Sequence, residues 1–423
     1  MDKFIEKLKV VFGDKNLRNR VYFVLGALII FRFLSSIPIA GVDKLKLDQL
    51  LTGNQFLGFL NIFSGGGLST LSIVMLGVGP YITGSIIMQL LTIIFPKLKE
   101  MYQEDGEAGR KKFVQYSRLL TVPLAIFQGF GLLFLLRQSG VVVADTVFDQ
   151  MVNIIVVTGG SVLVMWIGEL MTEYGIGNGT SIIIFAGIIA QMPSTIGQMF
   201  ASFTVAQIPT YLVFLVVSII IIAGVVIITE AERPVPVTYA KRVRGAKMYG
   251  GVSTYLPIRL NQAGVMPIIF ALSLLLLPQM IATFLLGLHQ STLQAIGTFL
   301  RDLVANQLYY AIFYFLLVFL FTYFYTAITF DPDNIATNLQ KNGAFIPGVR
   351  PGKPTAEHLS RILVRVTFVG ALFLGIIAVL PLGIRSITGI TALSIGGTSL
   401  LIVVSVVLDL IKQMNAQISM REY

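Results

Sequence analysis

Few residues in this chain are equipped to make or break bonds. It has no cysteine, and its two histidines, His289 and His358, stand far apart. A thiolate or histidine metal centre is therefore not expected, nor is a disulfide. No phosphate-cradling glycine loop, no Gly-x-Ser-x-Gly turn and no His-Glu-x-x-His pair occurs. The ionisable residues that fall within apolar stretches are Arg32, Glu169 and Asp409. Glu169 and Asp409 lie near helix ends, and Arg32 reads as a snorkelling or structurally paired cation. That is too little to coordinate an ion or relay protons across a membrane. What remains is recognition by charge. Lys241, Arg242, Arg244 and Lys247 cluster among β-branched and aromatic residues, and Arg350 is held between Pro347, Gly348, Pro351 and Gly352. Such groups suit an anionic partner, and a charge on a stiff tip loses less entropy on docking than one on a floppy tail. The basic 230–263 stretch also has a blander reading, as a solvated loop that only fixes topology.

The elements that carry these residues are dictated by composition. Of 423 residues, 55% are hydrophobic and 12% charged, with a mean hydropathy of +0.82. A water-facing surface needs about twice that share of charge. Lipid must cover much of the exterior, and in lipid only helices or closed barrels satisfy the backbone. The apolar runs are continuous rather than alternating, which selects helices. Ten spans are predicted, near 20–40, 71–95, 114–136, 152–172, 181–200, 208–229, 264–287, 304–330, 363–382 and 390–411.

Orientation follows from lysine and arginine. The segments 1–20, 97–118, 230–260, 331–365 and 412–423 hold 25 of the 31 basic residues, against Lys44, Lys46, Arg137, Arg301 and Arg385 on the other side and Arg32 inside a span. This places the first set, with both termini, in the cytoplasm. At the start, MDKFIEKLKVVF lacks an uninterrupted apolar run, so no cleavable signal peptide is expected. Phe4, Leu8, Val11 and Phe12 share one helical face, which reads as a helix on the membrane surface or, alternatively, a polar leader. Ten spans divide into halves of five, 1–200 and 201–423. Five is odd, so the second half enters from the opposite side, as in an inverted repeat with a pathway between its halves.

Three stretches depart from a plain bundle. In 58–80, GFLNIFSGGGLSTLSIVMLGVGP, two glycine-rich breaks interrupt an apolar run. It reads as an outer half-helix that returns into the protein, with a main helix from about 78, or as a kinked span. In 230–263, PVTYAKR and STYLPIR read as two strands of a basic hairpin joined near Gly250 and Gly251. Residues 331–358 read as a turn-rich loop around Arg350.

At these residues a family becomes visible. GGGLSTLSI, GPYITGSIIMQLL, GIGNGTSIIIFAGI, VTYAKR, LPIRLNQAGVMPIIFA, NLQKNGAFIPGVRPGKPTAEHL and GGTSLLIVVSVVLDLIKQ resemble, in order and over nearly the whole chain, the SecY family of bacterial protein-translocase channel subunits. The resemblance implies an all-α polytopic membrane protein of ten transmembrane helices in two pseudo-symmetric inverted halves, with a returning half-helix as a plug near 58–74. It implies a channel for unfolded secretory polypeptides in the bacterial cytoplasmic membrane, without catalysis or cofactor. Energy would come from the motor ATPase SecA or the ribosome, and the small subunits SecE and SecG would accompany it. By motif position, the pore ring would be Val78, Ile82, Ile184, Ile269 and Ile402. The plug would include Asn61, Ser64, Gly65, Gly66, Gly67, Leu68, Leu71 and Ile73.

A lateral gate would lie between the second and third spans and the seventh and eighth. Gln89, Thr92, Asn261 and Gln262 are its polar candidates, or else ordinary helix-end groups. Lys241, Arg242, Arg244, Lys247 and Arg350 would serve partner docking. Two departures stand out: Thr180 sits where the family's ring is often apolar, and Glu232-Arg233-Pro234 replaces a basic pair. A secondary transporter would need polar coordination at the midplane, which the spans scarcely supply; an intramembrane enzyme would need a catalytic pair.

Overall fold

The computed structural model describes residues 13–41, 43–53, 57–58, 60–61, 64–103, 105–142, 146–201, 208–239, 242–244, 247–249, 253–286, 290–388 and 391–419. The expected surface helix at 1–12 lies outside them. Ten helices take the places of the ten spans. In the first half these are α1 (Lys15–Leu34), α3 (Gly79–Ile94), α5 (Gly106–Gln138), α6 (Val147–Tyr174) and α7 (Gly179–Ala201). In the second they are α8 (Ile208–Glu230), α9 (Met266–Leu286), α11 (Gln307–Thr329), α13 (Lys353–Thr388) and α14 (Thr391–Ser419). Among the described residues, five segments, in α5, α6, α8, α11–α12 and α13, are each long and apolar enough to cross a bilayer alone. α8 turns Leu212, Val213, Leu215, Val216, Ile219 and Ile220 outward, a patch that needs lipid to cover it.

Packing repeats between the halves. α1 packs on α6 and α7, α3 on α5, α5 on α6, and α6 on α7. In the same order α8 packs on α13 and α14, α9 on α11, α11 on α13, and α13 on α14. The halves meet where α14 lies on α7 and where α9 lies on α3 and α5.

Four short helices escaped the span reading. α2 (Lys44–Gly53) lies between the first two predicted spans. α4 (Pro96–Gln103) follows α3 after a 115° bend at Phe95–Pro96, where the proline restricts the residue before it. α10 (Ser291–Ala305) precedes α11, and Asn306 joins them: its amide nitrogen donates to Asp302 O and its Oδ1 accepts from Leu308 N at 3.0 Å. α12 (Pro332–Lys341) sits inside the loop expected to be turns only. Asp331 caps it, accepting from Asp333 N and Asn334 N, with Pro332 in the first helical position.

The basic hairpin is present and larger than expected. β1 (Glu232–Tyr239) pairs antiparallel with β4 (Ser253–Arg259), with Glu232 opposite Arg259 and Thr238 opposite Ser253. Between them β2 (Arg242–Arg244) pairs with β3 (Lys247–Tyr249). Of PVTYAKR, residues 236–239 lie in β1 and Arg242 opens β2, while 240–241 lie outside the described residues. β5 (Ala344–Phe345), from the Arg350 loop, adds to the free edge of β1 at Thr238 and Tyr239. Pro234 and Pro236 fall where that edge is open, the place a proline can occupy in a sheet. Val235, Val237 and Ile258 face inward onto Ala344, Ile346, Leu359 and Leu363, so the two loops, 230–263 and 331–358, share one small apolar core.

Candidate functional site

The five residues that the resemblance assigns to a ring come from four helices and share one buried cluster. Val78 caps the N-terminus of α3 and Ile82 sits one turn on; Ile184 belongs to α7, Ile269 to α9 and Ile402 to α14. Relative exposure is 0% for Val78 and Ile402, 1% for Ile184, 2% for Ile269 and 6% for Ile82. Ile82, Ile184 and Ile269 also line a cavity of about 220 Å³, together with Tyr81, Gln89, Asn178, Thr180 and Ser181. Thr180 lies one turn from Ile184, at the polar wall. A second cavity of about 320 Å³, walled by Arg259, Asn261, Gln262, Asp409 and Lys412, shares Asn178, Ser181 and Met266 with the first. The two cavities adjoin, and the first has branched apolar side chains from the ring in its wall.

The plug segment lies against this cluster. Leu57, Gly58, Leu60 and Asn61 are helical, and the chain from Ser64 to Val78 runs as hydrogen-bonded turns, broken by one bridge at Ser72. The turns from Ser64 on are self-braced. Asn61 Oδ1 accepts from Ser69 N at 2.9 Å, Ser64 Oγ from Leu68 N at 3.0 Å, and Ser72 Oγ donates to Gly67 O at 3.0 Å. Gly65 and Gly66 take φ of +64° and +87°, conformations open to glycine. Leu68 and Leu71 are fully buried toward α5, and Ile73, half-buried, packs on both this cluster and the ring's.

The return limb of the plug is stapled in place. Ile39 N donates to Leu71 O at 2.8 Å, Ile73 N to Ile37 O at 3.0 Å, and Thr70 Oγ1 to Ser35 O at 2.7 Å. Ser161 Oγ donates to Gly77 O at 2.9 Å. Two glycines outside the plug let it approach. A Cβ on Gly187 of α7 would overlap the Gly65 backbone, and one on Gly160 of α6 would overlap Ile73 O. Sequence reading missed both. Arg32 is exposed at the outer end of α1, 3.5 Å from where a Gly66 side chain would begin.

Among the described residues no bond joins the gate candidates of α3, Gln89 and Thr92, to Asn261 or Gln262 across the seam. Gln89 lines the first cavity with its buried Oε1 unpartnered. Thr92 Oγ1 donates to Gln89 O at 2.6 Å within its own helix. Asn261 and Gln262 line the second cavity. The side the reading overlooked is the inner face of the first half. Arg118 Nε on α5 donates to Glu169 Oε1 on α6 at 2.7 Å, with Tyr81 of α3 close enough to feel both charges. Glu169 therefore ties α6 to α5.

On the platform, Arg350 is exposed. Ile346–Val349 forms a type II turn, with Pro347 second, Gly348 third at φ +83°, and Val349 N donating to Ile346 O at 3.0 Å. Arg350 O then accepts from Thr355 Oγ1 at 2.8 Å, so its backbone is fixed on both sides. Lys241 lies outside the described residues. Arg242 and Arg244 fall in β2 and Lys247 in β3, which places them along one ribbon.

Comparison with known proteins agrees across the chain. A family model for SecY matches residues 72–411. The protein translocase subunits SecY of Mycobacterium bovis and Mycobacterium tuberculosis are each 41% identical over 448 residues, spanning 100% of this chain and 99% of theirs. That of Streptomyces galbus is 41% identical, with 97% of each chain covered. Among solved structures, a protein-conducting channel superposes with a TM-score of 0.65 at 19% identity, covering 95% of this chain and 92% of its own. The Sec61 channel of a canine ribosome complex from the endoplasmic reticulum gives 0.62 at 17%, with the same coverage.

Proposed function

The chain belongs to the SecY family and is a protein-conducting channel of the translocase, and from that premise we propose that unfolded polypeptides pass between its halves, 1–200 and 201–423, through Val78, Ile82, Ile184, Ile269 and Ile402. The observation that carries this route is the joining of four helices from both halves in one apolar cluster, three of whose residues, Ile82, Ile184 and Ile269, line a cavity. A substrate of arbitrary sequence cannot be held by hydrogen bonds that demand one side chain. Branched apolar groups touch any chain weakly and exclude water and ions once it has left. The segment from Asn61 to Ile73 blocks the resting pore from the outer side.

Membrane segments leave sideways where α9 meets α3 and α5. An apolar residue at the bilayer core gains about 0.3–0.6 kcal/mol, so a stretch of about 10–15 residues gains several kcal/mol, enough to draw an anchor out once the seam parts. Gln89, Asn261 and Gln262 stand in the cavities beside that seam and set how readily it opens; Thr92 contributes through its bond to the Gln89 carbonyl. The channel performs no catalytic step of its own. Its cytoplasmic platform, bearing Lys241, Arg242, Arg244, Lys247 and Arg350, receives the ribosome or the SecA motor, with SecE and SecG as membrane partners. The setting is a bacterial cytoplasmic membrane, both termini inside.

The test uses the absence of native cysteine. With Ile82→Cys in reconstituted membranes and a stalled secretory substrate carrying one cysteine, a disulfide should form only while motor and ATP engage the substrate. Crosslinking at neighbouring helices but never at Ile82 would move the pore axis elsewhere.

A further inference from the structure

The second cavity holds groups that passage through the ring does not use. Two cations face it, and both are already matched: Arg259 Nε pairs with Glu232 at 3.3 Å, and Lys412 Nζ pairs with Glu230 at 2.9 Å while also donating to Thr229 O. Asp409, one turn before Gln413 on α14, is exposed to the cavity; Lys412 and Arg259 act on it through space, but neither is within ion-pair distance among the described residues. Its carboxylate accepts from Gln413 Nε2 at 3.0 Å. Also in the wall, Asn261 is 6% exposed and donates Nδ2 to Gly264 O at 3.1 Å. That bond commits its amide nitrogen and leaves Oδ1 without a partner.

Both surplus groups are acceptors, and one is an anion. A buried carbonyl oxygen left unpaired is costly, and a carboxylate is best answered by charged donors. The missing counterpart therefore brings N–H groups and positive charge: an ammonium or guanidinium. The cavity, about 320 Å³, shares the wall residues Asn178, Ser181 and Met266 with the one beside the ring, and so borders the proposed route of the polypeptide.

We propose that Asp409 and Asn261 receive the basic leading segment of a secretory substrate, holding its Lys or Arg side chains while the apolar stretch behind them reaches the seam. Such a basic segment before an apolar run is the common design of secretory signals. The proposal rests on the channel reading and adds a specificity-determining site to it. Arg259 and Lys412 keep the hold weak, since their charges are offset by glutamates rather than removed. A part-exposed site of this kind selects substrates without trapping them.

The test measures transport by the reconstituted complex for two substrates that differ only before the apolar run, one with two lysines and one with two glutamines. Asp409→Asn should reduce the ratio of their rates roughly two- to fivefold. Asp409→Lys should reverse the preference, so that a substrate with two glutamates overtakes the lysine one. A cysteine at Thr229 in the cavity wall should crosslink to one beside the lysines, and less so with Asp409→Asn. An unchanged ratio, or an equal loss for both substrates, overturns the proposal and leaves the channel intact. Lysines that act equally well from the mature segment overturn the assignment to the leading segment. A parent complex that moves neither substrate overturns the channel reading itself.

Discussion

Gly187 shows what a single residue can conceal. Its own neighbourhood in sequence, IIIFAGIIAQ, is that of any apolar helix, whereas Gly65 to Gly67 announce a break by standing together. The structure shows that Gly187 is needed because the Gly65 backbone lies against it, a contact between residues far apart in the chain. Pattern reading sees local conformation; it does not see which distant backbone presses on a smooth helix face. Gly187→Val is expected to force the plug outward. Overpacking of this kind costs about 1–3 kcal/mol, which shifts a closed-to-open equilibrium roughly five- to a hundredfold. The resting channel should then leak ions in planar bilayers while still transporting substrate. A resting conductance equal to the parent's would show that the plug does not seal through this contact.

At the scale of elements, the sequence told most where the chain obeys a local rule. The hairpin was readable from β-branched runs flanking glycine, and the start of α3 from Gly79-Pro80. α12 was also written locally, in Asp331-Pro332, and was passed over because the surrounding glycines and prolines drew attention to turns. The addition of β5 to β1 had no local mark at all. Two residues are too few for a strand pattern, and the pairing depends on a core shared by Val237 and Ala344. That core makes the platform one body, so an uncompensated charge inside it should disable both loops together. Val237→Asp places a carboxylate at a site 2% exposed, where burial without a partner is strongly unfavourable. Ribosome co-sedimentation should fall at low salt to the level seen for the parent at high salt, given that phosphate contacts weaken steeply with salt. Conductance of the open pore, carried by other helices, should be retained. Full ribosome binding by this variant would mean that the loops dock independently.

For the whole molecule, two kinds of information had different fates. Span count and sidedness came from bulk properties, apolar length and the placement of lysine and arginine, which need no knowledge of packing. The repeated order of helix contacts between the halves could only be inferred from the odd number of spans per half, since the two halves show no clear sequence likeness. Shape is conserved between the halves by packing, and many apolar sequences satisfy the same packing. Sidedness is the part that can be tested directly. The basic segments and the platform belong on one face, and α10, with Thr292 exposed, on the other. Lys353 lies at the start of α13 on the platform and is also exposed. In sealed inside-out vesicles, Lys353→Cys should react with a membrane-impermeant maleimide and Thr292→Cys should not; in right-side-out vesicles the pattern should invert. Each substitution replaces an exposed side chain, so folding should be little disturbed. Labelling of both cysteines from one side would break the ten-span path, because an even number of crossings must lie between two sites on the same face, whereas α11 alone separates these two.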